Sequence, residues 1–212
     1  MIRFHTKGVQ AIQKALVGAA TGLICTPYYS ERGLELLDPF FNSAETIEFW
    51  TRFSPLDWRS GVADMAALRR RVQSVLNRGK AFDFRVSDDL HAKIYRFSND
   101  RVIIGSANLT WPAMTSNIEV ICELTDVDVA GFLRHISTFK NRLIPVAVDV
   151  FAAYVDVAAD AISKSSDGPA EEDEEMNAAI ELAEEEFRKA LVNTLPEAPR
   201  IEHIEIGQFI DC

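Results

Sequence analysis

The apolar positions of this 212-residue chain change period several times, and each change predicts an element. Residues 8–20, "GVQAIQKALVGAA", repeat at helical spacing. "GLICTPYYS" (22–30) is a continuous apolar run closed around a proline, the pattern of a buried strand. "ERGLELLDPFF" (31–41) predicts a short helix, the alternating and β-rich "TIEFWTRF" (46–53) a strand, and "SPLDWRSG" (54–61) a loop. Within 62–78, Met65, Leu68, Val72, Val75 and Leu76 share one face of a helix that should end at Gly79, where a left-handed cap fits. "AFDFRV" (81–86) is the next strand; 91–97 and 101–105 are two more, joined by a tight "SND" turn; "NIEVICEL" (117–124) is another. Helices follow at 128–143, capped by Asp128, and at 145–162, opening on Pro145. Strands alternating with helices predict an α/β layered domain, a mixed β-sheet flanked by helices.

The pattern changes again near residue 165. "SKSSDGPAEEDEEMN" has linker composition, followed by an acidic amphipathic helix at 178–195 and an alternating, strand-like end, "RIEHIEIGQFI". The expected division is therefore a catalytic-type domain over residues 1–165 and an acidic C-terminal extension over 166–212. The helix at 145–162 is Val, Ala, Phe, Tyr and Ile apart from Asp149, Asp156 and Asp160 on one narrow stripe. Such a helix is covered on most sides, by its own chain or by a second copy.

Charge sharpens this division. Residues 167–212 hold 14 of the 32 acidic side chains and 3 of the 22 basic ones, a net −11, which leaves residues 1–166 at +1. The body can accept a polyanion locally; the tail cannot. The tail is either a solvated linker or a polyanion mimic that covers a cationic cleft. At 48% apolar residues the chain can build a sizeable core. No window approaches a membrane span, and "MIRFHTKGVQ" lacks the apolar core of a signal peptide. Cys25 and Cys122 sit inside apolar runs, as small buried hydrophobes do, so the expected setting is reducing and cytoplasmic. No His, Cys and Asp set clusters along the chain as metal ligands do, and no cofactor is expected.

The candidate chemistry lies in "HAKIYRFSNDRVIIGSANLT" (91–110). His91 and Lys93, two apart in extended backbone, point the same way. An imidazole beside an ammonium is unfavourable unless an anion lies between them, and a phosphodiester would supply it. Gly105 is expected to let the chain turn, with Ser106 and Asn108 offering hydrogen-bond groups at the turn. A solvated strand end is the alternative reading of the same residues.

"HAKIYRF", then "GSANLT", then "NIE" (117–119) resembles the phospholipase D superfamily signature, H-x-K, a later Asp, and G-S-x-N, with a downstream N-x-E. The resemblance covers about residues 85–124. One position departs: Ser98, with Asn99 and Asp100 after it, stands where the motif has Asp, a mainly structural residue in that family. The resemblance implies a phospholipase D-like fold and a metal-independent phosphodiesterase. It makes His91 the nucleophile forming a phosphohistidine, with Lys93, Ser106 and Asn108 on the non-bridging oxygens. Glu119 would fix the His91 tautomer, and Gly105, Thr110 and Asn117 complete the motif around the substrate. The leaving oxygen needs a proton that the same imidazole cannot give. The family uses two motif copies; this chain has one, since His5, His135 and His203 lack the Lys and the Gly-Ser turn. A homodimer with one shared site is therefore implied.

For substrate, Tyr28, Tyr29, Trp50, Arg52, Trp58 and Arg59 place aromatics beside arginines near strand ends, suited to stacking on bases and holding phosphates, or else serving as core aromatics and solvated arginines. Arg69, Arg70 and Arg71 are expected on the exposed side of their helix, as backbone contacts or as solvated side chains. Nucleic acid, DNA before RNA, is the expected partner, with no membrane. Compact single-motif members resemble restriction-type and phage-defence endonucleases, some within larger defence complexes. Two alternatives remain: a phospholipid phosphodiesterase, and a non-catalytic nucleic-acid-binding scaffold with a degenerate motif.

Overall fold

The computed structural model describes residues 1–52, 57, 60–98, 101–125, 129–164 and 185. Trp58, Arg59, the Asn99–Asp100 turn, and the predicted linker, helix and strand of the acidic extension lie outside the described residues. The strands are β1 (Ile2–His5), β2 (Thr21–Cys25), β3 (Thr46–Thr51), β4 (Ala81–Val86), β5 (Ile94–Phe97), β6 (Arg101–Gly105), β7 (Ile121–Leu124) and β8 (Ile144–Val146). The helices are α1 (Gly8–Leu16), α2 (Glu31–Glu35), α3 (Asp38–Ser43), α4 (Met65–Asn77), α5 (Trp111–Thr115), α6 (Val129–Lys140) and α7 (Val148–Lys164).

The strands form one eight-stranded mixed sheet in the order β1-β7-β6-β5-β2-β3-β4-β8. Strands β2, β3 and β4 are parallel, and the other pairings are antiparallel. This is the mixed, helix-flanked α/β fold expected from the phospholipase D resemblance. The parallel trio comes from two crossovers through α2, α3 and α4, which need apolar stripes to lie on the sheet. Those stripes are Leu34, Phe40 and Phe41, then Met65, Leu68, Val72 and Val75, all buried. They pack on Ile24, Ile47, Phe49 and Phe84 with Tyr95 and Phe97 to form the main core.

The opposite face is covered only in part. Ile136 and Leu143, with Phe132 of α6, lie over Leu23, Cys25 and Trp50. One cross-strand row shows where the cover ends. Trp50, Cys25, Ile94, Ile104, Cys122 and Phe4 are successive partners from β3 to β1. Trp50 and Cys25 are 1% exposed, and Phe4 at the far end is 74% exposed.

Several expectations change in the structure. Pro145 does not open a helix; it sits in β8, an edge strand, where a missing N–H costs no ladder bond, and α7 starts at Val148. Helix α7 finds its cover in its own chain: Phe151, Tyr154 and Val155 are buried, and Phe151 packs on Phe84 at 4.5 Å between ring centroids. Tyr29 and Trp50, proposed as stacking residues, are core residues at 0% and 1% exposure. Arg69, Arg70 and Arg71 do not form an open basic stripe. Arg69 pairs with Asp156, Arg70 with Glu31, and Arg71 with Asp38 at 2.7 Å and Glu31 at 3.2 Å.

Gly105 serves a different purpose from the one expected. A Cβ there would lie 2.0 Å from the Val120 carbonyl oxygen, so the glycine permits close approach of backbone rather than a left-handed turn. Gly105→Ala is expected to cost about 2–3 kcal/mol in urea unfolding, because backbone on both sides must shift. An unchanged midpoint would contradict the close contact.

Candidate active site

The parallel strands end at one edge of the sheet, and β5 and β7 begin there. That edge collects His91 and Lys93 before β5, the 105–110 segment after β6, and Asn117 and Glu119 before β7. Tyr28 after β2 and Arg52 after β3 reach the same edge. The ends of parallel strands leave backbone groups and side chains free of the sheet, which is where α/β proteins hold ligands.

His91 and Lys93 precede β5 in extended backbone and are not inside the strand, although Gly105 N still donates to Lys93 O at 3.4 Å. Lys93 is 7% exposed, and its Nζ lies 3.2 Å from both ring nitrogens of His91 and 2.8 Å from the His91 carbonyl oxygen. Being equidistant from both nitrogens puts the ammonium against the ring face. The His91 side chain itself is exposed. Burial pulls the Lys93 pKa below the usual lysine value, and the Glu119 charge opposes that pull. The protonated amine is therefore lost at a lower pH than in free lysine. For any phosphodiester turnover, kcat/KM should start to fall below pH 10.5, the ordinary lysine value. Lys93→Arg should push that limb upward; an identical profile in the variant would separate the limb from Lys93.

Alternation sets the Gly-Ser-x-Asn segment. Ala107 and Leu109 point inward, 4% and 0% exposed, so Ser106, Asn108 and Thr110 point away from the core. Tyr95 Oη donates to Ala107 O at 3.0 Å and ties the segment to the sheet. Ser106 Oγ accepts from Val120 N–H at 3.0 Å and donates to a Glu119 carboxylate oxygen. Asn117 Nδ2 donates to the other Glu119 oxygen at 3.4 Å. Among the described residues, the Glu119 side chain hydrogen-bonds to Ser106 and Asn117 and not to His91, and its charge acts on Lys93. The Asn108 Oδ1 atom is buried with no hydrogen-bond partner among the described residues. Thr110 precedes α5, and its side chain makes no cap hydrogen bond there.

Arg52 lies beside the cluster. Its Nη1 donates to Tyr28 Oη at 3.2 Å, its guanidinium lies 6.0 Å from the Tyr28 ring centre, and Asp57 Oδ2 pairs with its Nε at 3.0 Å. Burial raises the Asp57 pKa; Arg52 lowers it, and Asp88 adds to the rise.

Sequence reasoning missed Thr26. It is fully buried, donates from Oγ1 to Tyr28 O at 3.0 Å, and accepts from Leu109 N–H at 3.3 Å. It thereby pins the Tyr28 loop to the 105–110 segment. The available signal was a lone hydroxyl in the apolar run "LICTPYY". Cys25, next to it, is inert: burial pushes its thiol up to about 12.

Ser98 lies at the other end of β5. Its Oγ accepts from Ala20 N–H at 2.9 Å and Thr21 N–H at 3.3 Å, fastening the start of β2. A carboxylate would accept the same two bonds, so serine can replace aspartate there without touching the site. Ser98→Ala should lose about 1 kcal/mol in stability, and Ser98→Asp should retain it. A large activity loss with unchanged stability in Ser98→Ala would contradict this structural role.

An edge that presents an imidazole, a buried ammonium, a hydroxyl, an amide and a carboxylate is suited to phosphoryl chemistry. The family model described as "Cardiolipin synthase, PLD-like domain" matches residues 50–140, which include the whole cluster from Arg52 to Glu119. Residues 50–140 thus carry a PLD-like domain, and the motif inside them resembles the phospholipase D signature. Among solved structures, phosphatidylserine synthase from Haemophilus influenzae Rd KW20 aligns with a TM-score of 0.54 at 14% identity, over 68% of this chain and 39% of that one. Nuc from Salmonella typhimurium, a phospholipase D family member, aligns at 0.48 and 16% identity, over 69% of this chain and 96% of that one. NucT from Helicobacter pylori aligns at 0.43 and 10% identity, over 66% and 92%. No curated protein sequence matches the chain.

Proposed function

We propose that the protein is a phosphodiesterase that cleaves DNA as an endonuclease through a phosphohistidine on His91. The observation that carries this is the meeting of His91, Lys93, Ser106, Asn108 and Glu119 at one edge of the sheet. In the reaction, a His91 ring nitrogen attacks phosphorus and the P–O bond to the leaving oxygen breaks. A proton from a second imidazole goes to that oxygen. Water then attacks the phosphohistidine, returns a proton to the second imidazole, and frees the phosphate product and His91. Lys93 and the Ser106 hydroxyl, with the Asn108 amide, hold the non-bridging oxygens where charge builds. A non-bridging oxygen would take over the contacts that Lys93 now makes to the ring and carbonyl of His91. The positive groups supply the electrostatics, so activity should persist in EDTA.

The second imidazole is His91 of another copy. What supports a dimer is the open half of the sheet. On that face Ile2, Phe4 and Val120 are 65%, 74% and 64% exposed. The face continues upward along β6 and β7 to Ser106 and Ile118, so a second copy seated there would meet the first at the site.

The choice of DNA rests on Tyr28 and Arg52, an aromatic and a guanidinium beside the phosphate cluster. The names of the family model and of the Haemophilus structure favour a second reading, a phospholipid phosphodiesterase. One experiment separates them: single- and double-stranded DNA, RNA and anionic vesicles are incubated with the protein in EDTA, alongside a solution mass. Cleavage of DNA by a dimer is expected. Turnover of lipid alone would overturn the substrate assignment. A role in restriction or phage defence, in the cytoplasm and with or without a larger complex, is part of the proposal and rests on the resemblance alone.

A further inference from the structure

Trp111 is 38% exposed at the start of α5, three residues after Asn108. The Arg32 guanidinium lies over its ring, 5.1 Å from the centre. Arg32 is exposed, and it has no ion-pair partner among the described residues. This sets it apart from Arg69, Arg70 and Arg71, each held by a carboxylate.

The pair is held in place by backbone. A Cβ on Gly33 would lie 1.9 Å from Leu109 O, so α2 is pressed directly against the 109–110 segment. Ser30 N donates to Leu109 O and Leu109 N donates to Tyr28 O, each at 3.1 Å. Arg32 is two residues beyond the first bond and Trp111 two beyond Leu109, so neither can leave the edge without breaking those bonds. Tyr28 sits at the other end of the same link, under Arg52. Two cation–aromatic pairs thus lie on either side of Leu109, with the phosphate-binding side chains on the same segment. Arg32 is four positions along the chain from Tyr28, a span of at most about 14 Å.

We propose that Trp111 and Arg32 form a base-stacking platform for single-stranded DNA beside the phosphate site, an inference that rests on the nuclease reading above. An exposed indole offers a base its π-face, and the exposed guanidinium adds a stacking plane with a charge for the neighbouring phosphate. A base inside a duplex is already stacked on its neighbours and cannot use such a surface. The platform therefore selects single strands or strand ends.

The test uses full-length protein in EDTA. Equilibrium binding of a short labelled single strand and of its duplex is measured for wild type, Trp111→Ala, Trp111→Phe and Arg32→Ala, together with hydrolysis of bis(p-nitrophenyl) phosphate, which carries no base. Trp111→Ala should weaken single-strand binding roughly tenfold. Trp111→Phe should keep most of the affinity, and Arg32→Ala should lose less than Trp111→Ala. Duplex binding and hydrolysis of the small diester should stay at wild-type level. Equal single-strand affinity in wild type and Trp111→Ala, an equal loss for duplex, or no binding of the strand by wild type would each overturn the platform. Absence of turnover on every diester would sink the catalytic reading, while the binding comparison would still decide the platform.

Discussion

His91→Ala should reduce DNA cleavage by at least about 10⁴-fold, with stability unchanged. The ring is exposed and contributes nothing to the core, so its removal leaves folding intact. Its chemical loss is complete, because no other group described at the edge is positioned to form the covalent intermediate. Lys93→Ala should cost less, about 10²–10³-fold, since it removes one stabilising charge and leaves the nucleophile. This ordering distinguishes a catalyst from a binding scaffold. A scaffold would keep its DNA affinity in His91→Ala and would show no turnover to lose. Cleavage assays with a chelator, paired with binding isotherms, read both outcomes.

The second large effect is on stability. Glu123 in β7 is completely buried beneath the main helical layer. His5 Nε2 lies 2.8 Å from Oε2, Arg101 Nη1 3.0 Å from Oε1, and Arg3 Nη1 3.6 Å from Oε2. Burial pushes the carboxyl pKa up, but the hydrogen bond from His5 and the charges of Arg101, His5 and Lys14 outweigh it, and the net direction is down. Glu123→Ala would leave those cations facing one another. Breaking a buried pair costs about 3–5 kcal/mol, and the partial exposure of Arg3 and Arg101 argues for the lower end. Thermal unfolding should fall by roughly 10 °C. The sign with pH follows from the depressed pKa. The carboxylate's contribution is present above the unfolded-state value and is lost as pH drops through the lower folded value. Acid destabilisation below the ordinary 4.5 should therefore be weaker in Glu123→Gln, which has no such proton to take up. Equal acid slopes in wild type and Glu123→Gln would contradict this assignment.

The elements with long apolar periods were legible in the sequence. The stripe of α4 and the runs of β2, β3 and β4 carry their own burial pattern, and they build the main core. Short elements did not stand out. β1 is the four residues "IRFH", strand only because its backbone pairs with β7, and α5 is five residues held by the segments on either side. Pro145 has the same fixed φ in an edge strand as in a first helical turn, so its neighbours in space decided its place. Charge partners were equally hidden. Arg69, Arg70 and Arg71 read as one basic face, yet Glu31, Asp38 and Asp156 that neutralise them come from elsewhere in the chain. The candidate site's residues, His91, Lys93, Ser106, Asn108 and Glu119, stood out in the sequence. Its supports did not, because Thr26 and Leu109 act through bonds between segments 83 residues apart.

The most direct measurement of the shared site mixes subunits. Wild-type and His91→Ala chains are co-folded in varied ratio and DNA cleavage in EDTA is recorded. If one phosphorus is served by an imidazole from each of two chains, activity falls as the square of the wild-type fraction. A linear fall would mean that each chain cuts alone.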